Sequence, residues 1–200
     1  MRQTLFNTLS VRILMALFIV QTMACSSGKR LYEKGEYDGA VMKASQRLKQ
    51  APNNAKAKNT LRNAYTLALK THLDAIQQAD SFRTENYYDI TLSNYTALYN
   101  LEQTIKFCPA CLKVVKNLYE VDIKLAQTKN DALAFYYKRG SDYLALGGKT
   151  NARKALIDFN KVVSIQYNYK DIGTQVNQAK WEASEKIVIN HIPMHSKSYS

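Results

Sequence analysis

Two cysteines three positions apart, in Cys108-Pro109-Ala110-Cys111, are the residues of this chain best suited to chemistry. A C-x-x-C pair with an internal proline keeps two sulfurs within bonding reach. Such a setting lowers thiol pKa and supports disulfide exchange. Redox enzymes of this kind place the pair after a strand and at a helix start within a βαβ unit. Here apolar residues recur at helical spacing on both sides. The pair therefore reads as a helix–helix turn, either stapled by a local disulfide between Cys108 and Cys111 or holding two buried thiols. A catalytic dithiol is the alternative. With His191 and His195 the same sulfurs would complete a four-ligand zinc set, but those histidines stand far along the chain. No metal and no cofactor is expected.

Other resemblances to reactive motifs are weaker. Gly147-Gly148-Lys149-Thr150 imitates the end of a phosphate-binding loop. The full motif needs glycine five residues before the second glycine, a place held by Tyr143, and a strand leading in. The glycines read better as a helix stop that tolerates positive φ. His72 stands alone on its helix and reads as structural. Tyr32, Tyr37, Tyr65, Tyr88, Tyr95, Tyr99, Tyr136 and Tyr143 fall on apolar stripes and read as core, with hydroxyls reaching the surface. Tyr87, Tyr137, Tyr167 and Tyr169 fall off them and are candidates for exposed contacts. No serine elbow, metalloprotease helix or carboxylate pair in a recognisable setting appears, and an enzyme is not indicated.

The elements around these residues are helices. Tyr37, Ala40, Val41, Ala44 and Leu48 form one apolar stripe; Leu61, Ala64, Tyr65 and Ala68 form a second, continued by Ala75 and Ile76. Tyr88, Leu92, Tyr95, Tyr99 and Ile105 make a third, and Val114, Leu118, Val121 and Leu125 a fourth. Tyr136 with Tyr143, then Ala152, Ala155, Phe159 and Val163, then Ile172, Val176 and Ala179 continue the pattern. Breaks are expected at Pro52-Asn53-Asn54, between Asp80 and Asn86, at Pro109, near Asn130, at Gly147-Gly148 and near Asn168. That spacing predicts an all-α protein of about seven helices. Two stretches also carry tetratricopeptide spacing: Gly35, Tyr37, Ala40 and Pro52 in the first, Gly140, Tyr143, Ala155 and Phe159 in the second. Small residues there suit close helix crossings, and proline ends the second helix. Residues 71–130 do not keep the period, so the repeats are degenerate.

The amino terminus supplies an address. Arg2 and Arg12 flank a short apolar core from Ile13 to Val20, and small residues precede Cys25-Ser26-Ser27-Gly28. This is the layout of a secretory signal, too short to span a membrane as a mature helix. It is similar to bacterial lipoprotein signals, in which the cysteine is lipidated after cleavage. Thr22 stands where leucine is usual, and Thr22-Met23-Ala24 also suits ordinary cleavage with release of the chain. The lipidated reading is preferred, with Cys25 as the modified residue. Removing residues 1–24 leaves 176 residues and takes away two arginines and no acid, so a formal net charge of +12 becomes +10. Such a charge ordinarily suggests nucleic acid, but an exported protein seldom meets it. The lysines are also scattered over polar faces, as at Lys43, Lys49, Lys56, Lys58, Lys113 and Lys116.

Three blocks carry a family resemblance: CSSGKRLYEKGEYDGAVMKASQRL, NYKDIGTQVNQAKWEA and IVINHIPMHSKSYS. Together they resemble tetratricopeptide-repeat-like lipoproteins of the Bacteroidetes and related bacteria. That resemblance implies residence in the cell envelope, a scaffold role and a strand-containing segment after the helices. The expected organisation is a signal over 1–24, a tether over 25–30, a helical domain over 31–184 and a strand-like segment over 185–200, the start of a further domain. The expected function is a lipid-anchored scaffold, outer-membrane attached and facing the periplasm, that docks a protein or peptide partner on stacked helix pairs. An envelope thiol–disulfide oxidoreductase is one alternative. A structural subunit whose terminal strand completes a partner's sheet is the other.

Overall fold

The computed structural model describes residues 28–185, and every regular element among them is helical. Eight helices follow in order: α1 (Lys29–Glu33), α2 (Tyr37–Gln50), α3 (Ala55–Phe82), α4 (Tyr87–Lys106), α5 (Pro109–Leu112), α6 (Asp122–Leu146), α7 (Lys149–Ile165) and α8 (Ile172–Ala183). Cys25, His191, His195 and the expected strand over 186–192 lie outside the described residues. The chain divides into two compact units, 1–128 and 129–200, with the boundary inside α6.

In the first unit, local sequence dictates α2 and α3. Apolar residues of α2 recur at Ala40, Val41, Ala44 and Leu48, all fully buried. Asp38 in its first turn and Arg47 and Lys49 in its last complement the helix dipole. The chain leaves at Ala51-Pro52, since proline has no N–H to continue the ladder. Asn54 then caps α3, its Oδ1 accepting the Ala57 N–H at 2.9 Å. A turn this short makes the two helices packed neighbours. Alanines 40 and 44 meet a face built from Ala57, Leu61, Ala64 and Ala68, so the backbones approach closely and leave little void. Gly35 is not part of such a crossing. It has φ +81° with nothing near its Cβ position, and it serves the turn between α1 and α2.

The third and fourth stripes differ from expectation. On α4 the buried face is Thr91, Leu98, Leu101, Glu102 and Ile105, while Tyr88, Tyr95 and Tyr99 flank it half-buried. A tyrosine keeps its hydroxyl wet by standing at the edge of a core. The stretch Val114–Leu118 is not a helix, and residues 115–120 run irregularly before α6 begins. The end of this irregular stretch is held by Glu102. Its carboxylate, fully buried, accepts N–H groups from Glu120 (3.0 Å) and Val121 (3.4 Å) and the hydroxyl of Tyr65 (3.2 Å). Tyr65 Oη in turn accepts the Tyr119 N–H at 3.2 Å. Burial, reinforced by the neighbouring carboxylate, pushes the Tyr65 hydroxyl above its ordinary range and keeps it a donor. These bonds satisfy backbone donors that a helix would otherwise have satisfied. Glu120 itself turns the chain with φ 57°. Val115, Val121 and Leu125 are still buried.

Asn130 does not break a helix, because α6 runs through it. In the second unit Tyr136, Phe159 and Val162 are buried with Ile172, Val176 and Ala179. Gly140 is required there: a Cβ would lie 2.6 Å from the Phe159 ring. Beside it Arg139 forks onto the buried Asp158 with contacts of 2.7 and 2.6 Å, and stacks over Phe135.

His72 does have partners. Asn94 donates its amide to the Ile90 carbonyl at 2.8 Å, which turns its Oδ1 toward His72 Nδ1 at 2.7 Å. Nε2 faces the Asp38 carboxylate at 3.1 Å. A ring between two acceptors is favoured in its protonated form, and the hydrogen bond to Asp38, above all, raises the His72 pKa. This clamp ties α2, α3 and α4 together.

Two outcomes follow. Glu102→Ala leaves three donors without an acceptor and is expected to cost at least about 2 kcal/mol in urea unfolding, with faster hydrogen exchange at the Glu120 and Val121 amides. A raised His72 pKa favours the folded state below the unfolded value near 6.5, and the gain disappears as pH rises through the folded value. Asp38→Asn should therefore destabilise more at about pH 6 than at about pH 9; a penalty independent of pH would remove the clamp from the account.

Candidate functional site

The CPAC turn is placed by α4 on one side and by α2 beneath it. α4 ends at Lys106, and Phe107 carries the chain into Cys108 in extended conformation. Cys108 takes the cap position of α5, its sulfur 3.2 Å from the Cys111 N–H, and Pro109 occupies the first helical position, where a missing N–H costs nothing. Cys108 and Cys111 are joined as a disulfide with Cα atoms 5.1 Å apart. Both residues are completely buried, and each sulfur lies 3.9 Å from the Ser45 carbonyl oxygen of α2. Disulfide sulfurs carry no hydrogen, so these are packing contacts. The Ser45 hydroxyl in the same layer is the buried side-chain oxygen without a hydrogen-bond partner among the described residues.

On its outer side the turn forms one wall of a cavity of about 400 Å³. The end of α2 contributes Leu48 and Lys49, the α2–α3 turn Pro52 and Asn53, and the first turn of α3 Lys58. Cys108, Pro109, Ala110 and Lys113 close it. Three lysines thus line one concavity, and no carboxylate does. Among the described residues none of the three lysines is ion-paired, whereas Lys29, Lys70, Lys106, Lys138 and Lys149 all are. The lysines were visible in the sequence as scattered surface charge. Their convergence comes from the short α2–α3 turn and the disulfide-held α5.

Around the turn stand large exposed apolar side chains. Phe107 is 75% exposed and Ile123 79%, and Leu112 is also exposed. Lys106 and Asp122, the residues just before Phe107 and Ile123, bond at 3.1 Å, which brings the two apolar groups to one region.

The other candidates separate. Gly147 and Gly148, at φ +67° and +81°, end α6 and open α7, and Lys149 pairs with Glu185. No phosphate-binding strand leads in, because Asp122–Leu146 is helical. Tyr65 and Tyr136 are buried, Tyr32, Tyr37, Tyr88, Tyr95, Tyr99 and Tyr143 are half-buried, and Tyr167 is exposed. Tyr87, Tyr137 and Tyr169 are half-buried rather than free. Tyr137 donates to Asp171, whose carboxyl this bond holds below the usual range, and its ring meets Tyr169. Among the described residues no cluster of three or more histidine, cysteine or acidic side chains could hold a metal ion. No helix among them is long and apolar enough to cross a membrane.

No family model matches this chain, and searches of curated proteins and of solved structures found no match.

Disulfide exchange requires an attacking thiolate to reach a sulfur in line. With both sulfurs buried, reduction of the native chain by dithiothreitol must wait for the turn to open. It is expected to run at least about tenfold slower than in denaturant. Equal rates, read by alkylation of freed thiols, would return the pair to redox chemistry.

Proposed function

We propose that this chain is a lipid-anchored scaffold of the bacterial cell envelope, with degenerate tetratricopeptide-like helix pairs, that binds a protein or peptide partner. The observation that carries this reading is the exposure of Phe107, Leu112 and Ile123 on backbone that is already held. Large apolar groups clustered at a surface mark sites of association. Here the α4 cap, the disulfide and the Lys106–Asp122 pair fix their positions, so a partner gains apolar contact with little further ordering. Close helix crossings at Ala40, Ala44 and Gly140 support the repeat-like reading. The signal-like residues before Cys25 support export and lipid attachment at that cysteine. Burial of Cys108 and Cys111 works against an envelope oxidoreductase.

The test is crosslinked capture from native envelopes with the full-length chain. Phe107→Ser with Ile123→Ser should reduce recovery of the captured partner at least about tenfold while leaving stability within about 0.5 kcal/mol. Cys25→Ala should move the chain from the membrane to the soluble fraction. Undiminished capture by the double variant would sink the binding face.

A further inference from the structure

We infer that the cavity beside the CPAC turn is a binding site for a small organic phosphate ester. The charge comes first. Lys49, Lys58 and Lys113 open onto one concavity with no acidic residue in its lining and no ion pair of their own among the described residues. Like charges gathered on a concave wall of low dielectric focus a field that draws in an anion. Lys29, Lys70, Lys106, Lys138 and Lys149 are each held by a carboxylate, whereas these three share one concavity without one.

The type of cation narrows the class. The cavity has lysines and no arginine. Arginine forks match a planar carboxylate bidentately, whereas ammonium groups act as point charges that suit a tetrahedral, multiply charged phosphate. Asn53 adds an amide at the rim. Size and lining narrow it further. About 400 Å³ is far more than a bare phosphate fills, and it falls in the range of small-molecule sites. Pro109 and Ala110, accessible apolar residues of the lining, would face the organic part. The disulfide holds the Pro109 wall in place before any ligand arrives, so binding does not have to order it. This site is independent of the apolar face proposed for a protein partner.

Titration calorimetry of the full-length chain at about 0.15 M salt tests it, with phenyl phosphate as probe and inorganic phosphate, succinate and vesicles containing phosphatidic acid as comparisons. Phenyl phosphate should bind saturably at one site, at least about tenfold tighter than either inorganic phosphate or succinate. Lys49→Ala, Lys58→Ala and Lys113→Ala together should weaken it at least about tenfold, with unchanged circular dichroism. Lys43→Ala, Lys56→Ala and Lys116→Ala, at exposed positions outside the cavity, should leave it unchanged. Absence of saturable binding, equal loss in both triple variants, or equal affinity for succinate would overturn the assignment. So would binding of the vesicles without binding of phenyl phosphate.

Discussion

A single buried carboxylate decides the path of the chain through the middle of the first unit. Glu102 has no solvent contact, yet it lies within reach of the Tyr65 hydroxyl and two consecutive backbone N–H groups, with Lys106 3.9 Å away. A buried carboxylate is costly unless its oxygens are satisfied. The N–H groups of residues 120 and 121, with the Tyr65 hydroxyl, satisfy them, and that stretch of backbone abandons helical hydrogen bonding. Two requirements are met together: the charge finds donors, and a non-helical segment finds acceptors. The ends of α4 and α6 are thereby brought to one another, and Lys106 reaches Asp122. Phe107 and Ile123, each next in sequence to one member of that pair, are both exposed.

The CPAC turn depends on that arrangement from one end and on α2 from the other. Its disulfide closes a very small ring, and the loop-closure gain from so short a segment is about 2 kcal/mol. Its larger effect is positional. It holds Pro109 and Ala110 as a wall facing Lys49 and Lys58 across a cavity that neither helix would form alone. Both sulfurs are sealed beneath that wall, and the disulfide shapes the surface around it. Function in this region, on either proposal, is carried by the side chains around the disulfide and not by the sulfurs.

Polar clamps recur with the same logic. His72 joins three helices by facing two acceptors, and in the second unit Arg139 forks onto Asp158 beside the Gly140–Phe159 contact. In each case a group that would be expensive to bury alone is paired, and the pairing also selects one helix register among several that apolar packing would tolerate. His72 adds sensitivity to pH because its partners favour the protonated ring.

Helices were legible wherever the chain obeyed one local rule. The stripe over Tyr37–Leu48, the stop at Pro52, the cap at Asn54, the glycine stop at Gly147-Gly148 and the paired face of α7 all follow from periodicity and backbone chemistry that act within a turn or two. The close contact at Gly140 was legible too, since only glycine fits where a ring lies against the backbone. Residues 114–121 were misleading because their apolar spacing is helical while the acceptors for the N–H groups of 119–121 come from Tyr65 of α3 and Glu102 of α4. Asn130 offered a break that the rest of α6 overrode. Nothing near His72 in sequence announced Asp38 or Asn94, which lie 34 and 22 residues away. The lysines at 49, 58 and 113 looked like ordinary solvated charge. By itself the sequence determined the helical class, the placing of most turns and the reach of Cys108 to Cys111, because these depend on neighbours a few residues apart. Only the tertiary structure decided which donors Glu102 would satisfy, where the sulfurs would be hidden and that three cations would share one cavity. Those outcomes depend on groups distant along the chain, whose meeting is set by packing.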